Sequence, residues 1–185
     1  METSIIISGF GGQGALFAGQ VLTYAAMETG KNTTWIPAYG PEMRGGTARC
    51  TVIISDDEIG SPLVLNPDAA LVLNLPSLDR FEPLMKPGGV LIANSSLINR
   101  EFERQDLRTL MVPAQEIAEE LGNRRLLNMV MVGALLEVLP ILPLDAVKQA
   151  LADHIAERHK HTLPMNFEAM EKGAQLARQS SPEKA

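Results

Sequence analysis

The sequence has a single cysteine, Cys50, among its 185 residues. One thiol excludes an internal disulfide, and it excludes any zinc or iron–sulfur site built from several cysteines of this chain. Cys50 lies inside the apolar stretch TARCTVIIS, where a small buried thiol is the usual outcome. We therefore expect Cys50 to be a core residue and not a nucleophile.

Positive charge and long apolar runs are also scarce. Lys and Arg number 16 against 22 Asp and Glu, and the resulting net charge of -6 argues against nucleic acid as the main partner. The most apolar segment, residues 126–142, is broken by Glu137 and Pro140 and is too short to cross a bilayer. No basic segment followed by a long apolar one stands at the start, so we expect no signal peptide and no membrane partner. These features predict a cytoplasmic protein.

Side chains that catalyse reactions or bind metals form no recognisable set. No Ser-His-Asp arrangement is visible by spacing. His154, His159 and His161 lie at or after the end of a predicted helix, where imidazoles interact with the helix dipole or with solvent. Their spacing suits no common metal motif. We predict neither a catalytic residue nor a metal ligand in this chain.

The most informative stretch is residues 5–14, with the sequence IIISGFGGQG. Ile5, Ile6 and Ile7 predict a strand that is buried on both faces. Helical spacing begins again at Leu16 and continues to Glu28, so the glycines join a strand to the N-terminus of a helix. Unpaired backbone N–H groups and the helix dipole favour an anion there, such as a phosphate or a carboxylate.

The spacing Gly9-x-Gly11-x-x-Gly14 matches a dinucleotide-binding fingerprint, which is a weak signal by itself. The fingerprint also requires an acidic residue at the end of the second strand. The second predicted strand, residues 32–39, has no Asp or Glu. No Lys-Ser or Lys-Thr follows the glycines, which excludes a nucleotide-triphosphate P-loop. Two interpretations stay open, an anion-binding loop and a tight turn that lets helix and strand approach closely.

A second loop, YGPEMRGG at residues 39–46, follows the second strand. Strands of an open α/β sheet release their ligand-binding loops at the same carboxyl edge, so we expect the two loops to lie together. Arg44 is the one fixed positive charge in either loop, and a guanidinium can bind phosphate or carboxylate with two hydrogen bonds. Alternatively, Arg44 pairs with Glu42 or with a neighbouring subunit. The candidate cofactor-binding residues are Gly9, Gly11, Gly12, Gln13, Gly14, Tyr39, Pro41, Glu42, Arg44, Gly45 and Gly46.

Alternating strands and helices predict an α/β fold in three layers, with a mostly parallel sheet and a Rossmann-like first βαβ unit. Segment 47–55 follows the second strand without a helix, which permits antiparallel pairing and a mixed sheet. A short extended piece is expected at 59–65. The helix predicted at 126–139 is apolar almost all round and is either core or a contact surface for a partner. We expect one domain over residues 1–179 and a flexible tail over 180–185.

Five segments together resemble the gamma subunit of 2-oxoacid:ferredoxin (acceptor) oxidoreductases, most closely the 2-oxoglutarate type. They are GFGGQG, AYGPEMRGGTARCTVIISDDEIGSP, LNLPSLDRF, KPGGVLIANSSLI and NMVMVGAL. The resemblance implies a subunit that is inactive alone. It implies partners, namely alpha and beta subunits, a ferredoxin-like delta subunit in some complexes, and ferredoxin as the external acceptor. Thiamine diphosphate, Mg²⁺, [4Fe–4S] clusters and coenzyme A are then expected in the assembled complex, and none of them on this chain alone.

The sequence agrees with that division of labour, because it has no Gly-Asp-Gly…Asn-Asn run and no cluster cysteines. Two other functions remain open at this stage. One is a stand-alone dinucleotide-binding oxidoreductase, against which the missing acidic residue counts. The other is a non-enzymatic scaffold module. The isolated chain is also a candidate homodimer.

Overall fold

The structure is a computed structural model that describes residues 1–40 and 46–180. Within these residues six strands form one sheet, namely β1 (Glu2–Phe10), β2 (Asn32–Tyr39), β3 (Thr47–Ser55), β4 (Ala69–Val72), β5 (Val90–Asn94) and β6 (Arg108–Val112). The same ranges contain the helices α1 (Ala15–Glu28), α2 (Leu75–Phe81), α3 (Ala114–Glu120), α4 (Leu127–Val138), α5 (Leu144–His154) and α6 (Leu163–Ser180). Short 3-10 turns lie at Glu82–Leu84, Arg124–Leu126 and Glu157–Thr162. The predicted α/β class is confirmed.

The strand order is β2-β3-β1-β4-β5-β6. Strands β1, β4, β5 and β6 are parallel neighbours, while β3 runs antiparallel to both β1 and β2. The mixed sheet permitted by the short β2–β3 connection is therefore present. The predicted first βαβ unit is split, since β1 and β2 run in the same direction with β3 between them.

Strand β1 lies in the interior of the sheet, and its three isoleucines make it apolar on both faces. Ile5 and Ile7 are fully buried on one face, and Ile6 is 4% exposed on the other. Burying each of these side chains contributes about 1.5–3 kcal/mol. A strand that is apolar on both faces can only be stable with layers on both sides.

The helical face of the sheet, which we define by Ile5, Ile7, Val52 and Leu71, is covered by α1 and α3 to α6. Helix α4 is buried on nearly all sides between the sheet and α6. Of the two roles considered for the apolar 126–139 segment, the structure therefore shows core. Gly133 and Gly173 allow the close approach, because a Cβ at either position would lie 1.9 Å from a backbone oxygen of the other helix.

The outer face of the sheet carries Ile6, Ala70, Val72 and Leu91 and has a thinner cover. Helix α2 lies over β1 and β4, and residues of the segment 98–107 complete this smaller core. Strands β2 and β3 extend beyond α2, and Ile36 of β2 remains 39% exposed. The two faces of one sheet are thus covered very unequally.

Two predicted boundaries differ from the structure. Residues 59–65 form no regular element, and Leu63 and Leu65 are about four-fifths exposed. Pro62 has no N–H for a ladder, which disfavours a strand there. Helix α6 continues through Ser180, one residue beyond the predicted domain end. The rest of the predicted tail, 181–185, lies outside the described residues.

Candidate functional site

The glycine loop between β1 and α1 is a tight turn closed by its own backbone. The N–H of Gln13 donates to the carbonyl of Phe10 at 3.1 Å. Gly12 and Gly14 have φ values of +99° and +79°, a region that favours glycine. Gly14 also serves as the N-cap of α1 without any side-chain cap. The turn itself therefore requires glycine at positions 12 and 14, whatever the loop binds.

Close contacts leave no room for a side chain at two positions of this loop. A Cβ on Gly9 would lie 2.6 Å from Oε1 of Gln13 and 2.9 Å from Cβ of Leu73. A Cβ on Gly14 would lie 2.4 Å from Nδ2 of Asn128. The close-packing interpretation is therefore valid for Gly9 and Gly14. Gly11 and Gly12 differ, because a Cβ there would meet nothing closer than 3.7 Å.

The described ends of the second loop, Tyr39, Gly40 and Gly46, lie beside the glycine loop at one edge of the sheet, as predicted. The N–H of Gly11 donates to the carbonyl of Gly46 at 2.9 Å, and the N–H of Gly40 donates to the carbonyl of Thr47 at 2.7 Å. Tyr39 ends β2 at this edge and is 73% exposed. The other predicted members of the second loop, Pro41, Glu42, Arg44 and Gly45, lie outside the described residues.

Gln13 has structural contacts that the sequence did not predict. Its Oε1 accepts from the N–H of Phe10 at 2.6 Å, and its Nε2 donates to the carbonyl of Leu73 at 3.3 Å. The side chain thus joins the glycine loop to the end of β4. These contacts give Gln13 a positioning role within the protein.

An open cleft of about 370 Å³ lies beside the first turn of α1. It is lined by Phe17 of α1, by Arg125 and Asn128 near the start of α4, and by His159 and Thr162 of the last 3-10 turn. The backbone N–H groups of a helix's first turn have no partner within the helix, and the dipole makes that end attractive to anions. With the exposed cation of Arg125, this edge can receive a negatively charged ligand.

Asn128 is the residue of this region that sequence reasoning missed. It is 4% exposed, and its Nδ2 donates to the carbonyl of Gly14 at 3.2 Å across 114 residues of sequence. The available signal was a lone amide in the apolar run LLNMVMVGALL. A buried polar side chain in such a helix requires a partner.

Cys50 and His154 both make contacts that stabilise the fold, which accounts for them without a catalytic role. Cys50 is fully buried, and burial raises the pKa of its thiol to about 12, so the reactive thiolate is strongly disfavoured. His154 ends α5, stacks on Tyr24 with ring centres 3.8 Å apart and contacts Glu28 at 2.7 Å. In residues 1–40 and 46–180 no group of three or more His, Cys, Asp or Glu side chains could hold a metal ion.

No helix among the described residues is long and apolar enough to serve as a membrane span.

Known proteins match the chain over nearly its whole length. A family model described as "Pyruvate ferredoxin/flavodoxin oxidoreductase" matches residues 4–176. The chain belongs to this family. The crystal structure of the gamma subunit of a keto/oxoacid ferredoxin oxidoreductase from Geobacter sulfurreducens PCA superimposes with a TM-score of 0.81 at 28% identity. The match covers 96% of this chain and 99% of that subunit, so the resemblance to the gamma subunit is confirmed.

Curated relatives in the family differ in length and in name. Ketoisovalerate oxidoreductase subunit VorA of Methanothermobacter thermautotrophicus is 40% identical over 180 residues, covering 97% of this chain and 37% of that protein. 2-Oxoglutarate synthase subunit KorC of Methanocaldococcus jannaschii is 33% identical over 182 residues, covering 97% of this chain and 96% of that one. This chain therefore spans little more than a third of VorA but nearly all of KorC.

Proposed function

We propose that this chain is the gamma subunit of a multi-subunit, thiamine-diphosphate-dependent 2-oxoacid:ferredoxin oxidoreductase. Such a complex decarboxylates a 2-oxoacid oxidatively to its acyl-CoA and passes the electrons to ferredoxin. The observation that carries the proposal is the match to a gamma subunit that covers both chains almost entirely. Alpha and beta subunits, and a delta subunit where one exists, are the proposed partners, and the cytoplasm is the proposed compartment.

The residues of this chain suit a subunit without a redox centre of its own. One buried cysteine cannot supply the four thiolates of a [4Fe–4S] cluster. The sequence also has no run of the kind that holds thiamine diphosphate and its Mg²⁺. In the proposed complex the cluster, thiamine diphosphate and Mg²⁺ are therefore held by the other subunits, where the redox reaction takes place.

The joined loops suit a contribution to the coenzyme A entrance or to a subunit contact. The first turn of α1 offers backbone donors without a side-chain cap, and an open cleft adjoins it. Gly11 and Gly12 leave the loop surface bare of side chains, which permits close approach by a ligand or a neighbouring backbone. Arg44 would add a guanidinium suited to phosphate or carboxylate.

We propose 2-oxoglutarate as the oxoacid, in line with the KorC relative that this chain spans almost completely. A branched-chain oxoacid is the second candidate, because VorA has the higher identity at 40%. Pyruvate completes the panel to be tested, since the family description names it.

Deleting the chain tests the proposal. We expect the remaining subunits to lose oxoacid-dependent ferredoxin reduction and to recover it when the purified chain is added back. Rates with 2-oxoglutarate, 2-oxoisovalerate and pyruvate then identify the substrate. Intact activity without the chain would contradict the proposal, and so would oxoacid turnover by the chain alone.

Replacing Arg44 tests the role of the loops separately. In an assembled complex we expect Arg44→Ala to raise the KM for coenzyme A or oxoacid about ten- to a hundredfold, since a lost charge-assisted hydrogen bond is worth about 1.5–3 kcal/mol. Arg178→Ala, at a 67% exposed arginine near the end of α6, is the control. An unchanged KM in a fully assembled Arg44→Ala complex would leave the loop with a purely structural role.

A further inference from the structure

Two arginines meet over one aromatic ring on the outer face of the sheet. The guanidinium carbon of Arg49, on β3, lies 5.8 Å from the centre of the Phe81 ring. That of Arg80, on α2, lies 5.5 Å from the same centre. Both distances are within the range of cation–π contacts, so one ring helps to hold two like charges near each other.

These two arginines differ from the neighbouring arginines because no Asp or Glu carboxylate of the described residues forms an ion pair with them. Arg100 pairs with Asp79 at 2.8 Å and with the buried Glu82 at 2.9 Å. Arg104 pairs with Asp106 at 2.6 Å. In the part of the chain that the structure describes, neither Arg49 nor Arg80 has an ion pair.

The two guanidinium charges, which no carboxylate among residues 1–40 and 46–180 neutralises, raise the free energy of the folded chain. Burial lowers the pKa of Arg49, and the adjacent charge of Arg80 lowers it further. Like charges in a partly desolvated position repel each other, and an anion from outside relieves that repulsion. The chain as a whole has a net charge of -6, so this local positive pair is opposite in sign to the rest of the molecule.

The surface around the arginines is suited to a protein. Phe10 and Ile36 present side chains that are 38% and 39% exposed on the same face of the sheet as Arg49, and Thr51, which lies opposite Ile36, is half-buried. A small ion is best held in a concave site, whereas this surface is a sheet face with apolar side chains around a charged pair. Apolar residues combined with arginine are typical of the core of protein interfaces.

The length of the VorA relatives indicates what kind of partner a domain like this one has. In VorA the matching segment makes up 37% of one longer polypeptide. The remaining part is therefore covalently joined to a domain like this one. Where the chain is separate, as in KorC, a counterpart of that remaining part has to be recruited by non-covalent contacts.

We infer that Arg49 and Arg80, together with Phe10 and Ile36, form the docking surface for the partner subunit that corresponds to the remaining part of VorA. That subunit places a carboxylate between the two guanidinium groups. The inference rests on the proposed function, because it takes the chain to be one subunit of a complex. It goes further in naming the face and the charge that hold the subunits together.

A charge reversal tests the docking surface. The remaining subunits, purified together from a strain that lacks this chain, are titrated with wild-type chain and with the double variant Arg49→Glu/Arg80→Glu. We expect the wild-type affinity to fall with rising salt and the double variant to bind about a hundredfold more weakly, because like charges across an interface cost several kcal/mol. Arg124→Glu/Arg178→Glu, at arginines that are 66% and 67% exposed elsewhere, changes the net charge equally and is the matched control, expected to bind like wild type.

Further variants and measurements separate the alternatives. Arg49→Gln/Arg80→Gln removes the repulsion within the chain, so it should fold at least as stably as wild type and still bind at least tenfold more weakly. Wild-type affinity in that folded variant overturns the inference, even if the KM for coenzyme A rises, which would point to a phosphate site. The inference is also overturned if the Gln variant assembles normally with the other subunits and loses only self-association. That result would show that the surface binds a second copy of this chain. If the wild-type chain does not bind the other subunits at all, the proposed function fails as well, which distinguishes the two failures.

Discussion

The helical face and the outer face of the sheet differ in how completely the chain covers its own apolar surface. On the helical face, α4 is buried on nearly all sides, and Ile5 and Ile7 are fully buried. On the outer face, α2 is a single short helix, and Ile36 remains 39% exposed beside two unpaired arginines. The difference indicates that the helical face supplies most of the stability of the subunit, and it underlies our inference that the outer face takes part in association. Substitutions on the two faces should therefore affect different measurements.

The largest effect is expected where α4 and α6 cross. We expect Gly133→Ala to lower the free energy of unfolding by about 3 kcal/mol or more, because the added Cβ would lie 1.9 Å from the carbonyl oxygen of Met170 and force the helices apart. Urea unfolding of the isolated chain measures the change. Gly60→Ala is the matched control, since a Cβ there meets nothing within 4 Å. Equal stabilities of the two variants would contradict the proposed role of the helical face.

A smaller effect is expected at the sheet that both faces share. Asp68 joins the starts of β1 and β4, accepting hydrogen bonds from the N–H of Ser4 at 2.8 Å and from Lys86 at 2.7 Å. Burial acts to raise the pKa of Asp68, but these hydrogen bonds outweigh it and the net pKa lies below the usual 3.8. We expect Asp68→Asn to cost about 1–2 kcal/mol at pH 7.

The pH dependence follows from the sign of that shift. Because the folded-state pKa of Asp68 is lowered, its contribution is present above pH 3.8 and is lost as the pH falls through the folded pKa. Thermal unfolding between pH 7 and pH 2 should show a shallower acid loss for Asp68→Asn than for wild type. Asp57→Asn, whose side chain is 88% exposed, is the control. An identical acid loss in wild type and Asp68→Asn would refute the assignment.

The smallest effect on stability is expected on the outer face. Ile36→Thr keeps a β-branched side chain on β2, so we expect the free energy of unfolding to change by no more than about 0.5 kcal/mol. The same exchange at Ile7, fully buried on the helical face, should cost about 2 kcal/mol or more. Assembly with the other subunits is the second measurement, in which Ile36→Thr should bind more weakly. If Ile36→Thr instead caused a large loss of stability and left assembly unchanged, the outer face would serve stability and not association.

Local patterns predicted much of the fold and the position of the candidate site. The isoleucines of β1, the glycines after it and the helical spacing from Leu16 each depend on residues close in sequence, and all three were predicted correctly. The proximity of the glycine loop to the ends of the second loop followed from the rule that ligand-binding loops of an open sheet share one edge, and the hydrogen bond from Gly11 to Gly46 confirms it. Whether these loops bind a cofactor remains a prediction.

Contacts between distant segments were not predicted. Asn128 reaches Gly14 across 114 residues, and Gln13 reaches Leu73 across 60. Arg49 and Arg80 both lie over Phe81 because α2 packs on this part of the sheet. No pattern in the sequence of β3 or of α2 specifies that position. Such contacts arise only when strand order brings separate segments together.

The sequence by itself determined that this protein has a two-sided apolar sheet, a bare glycine turn at a helix start and too few cysteines for an iron–sulfur cluster of its own. These properties depend only on residue types and short-range spacing. Tertiary structure decided that β3 separates β1 from β2, that α4 lies inside the protein rather than at a contact surface, and that two arginines share one ring. Strand order and helix placement minimise exposed apolar surface over the whole chain at once, so no single stretch of sequence contains that information.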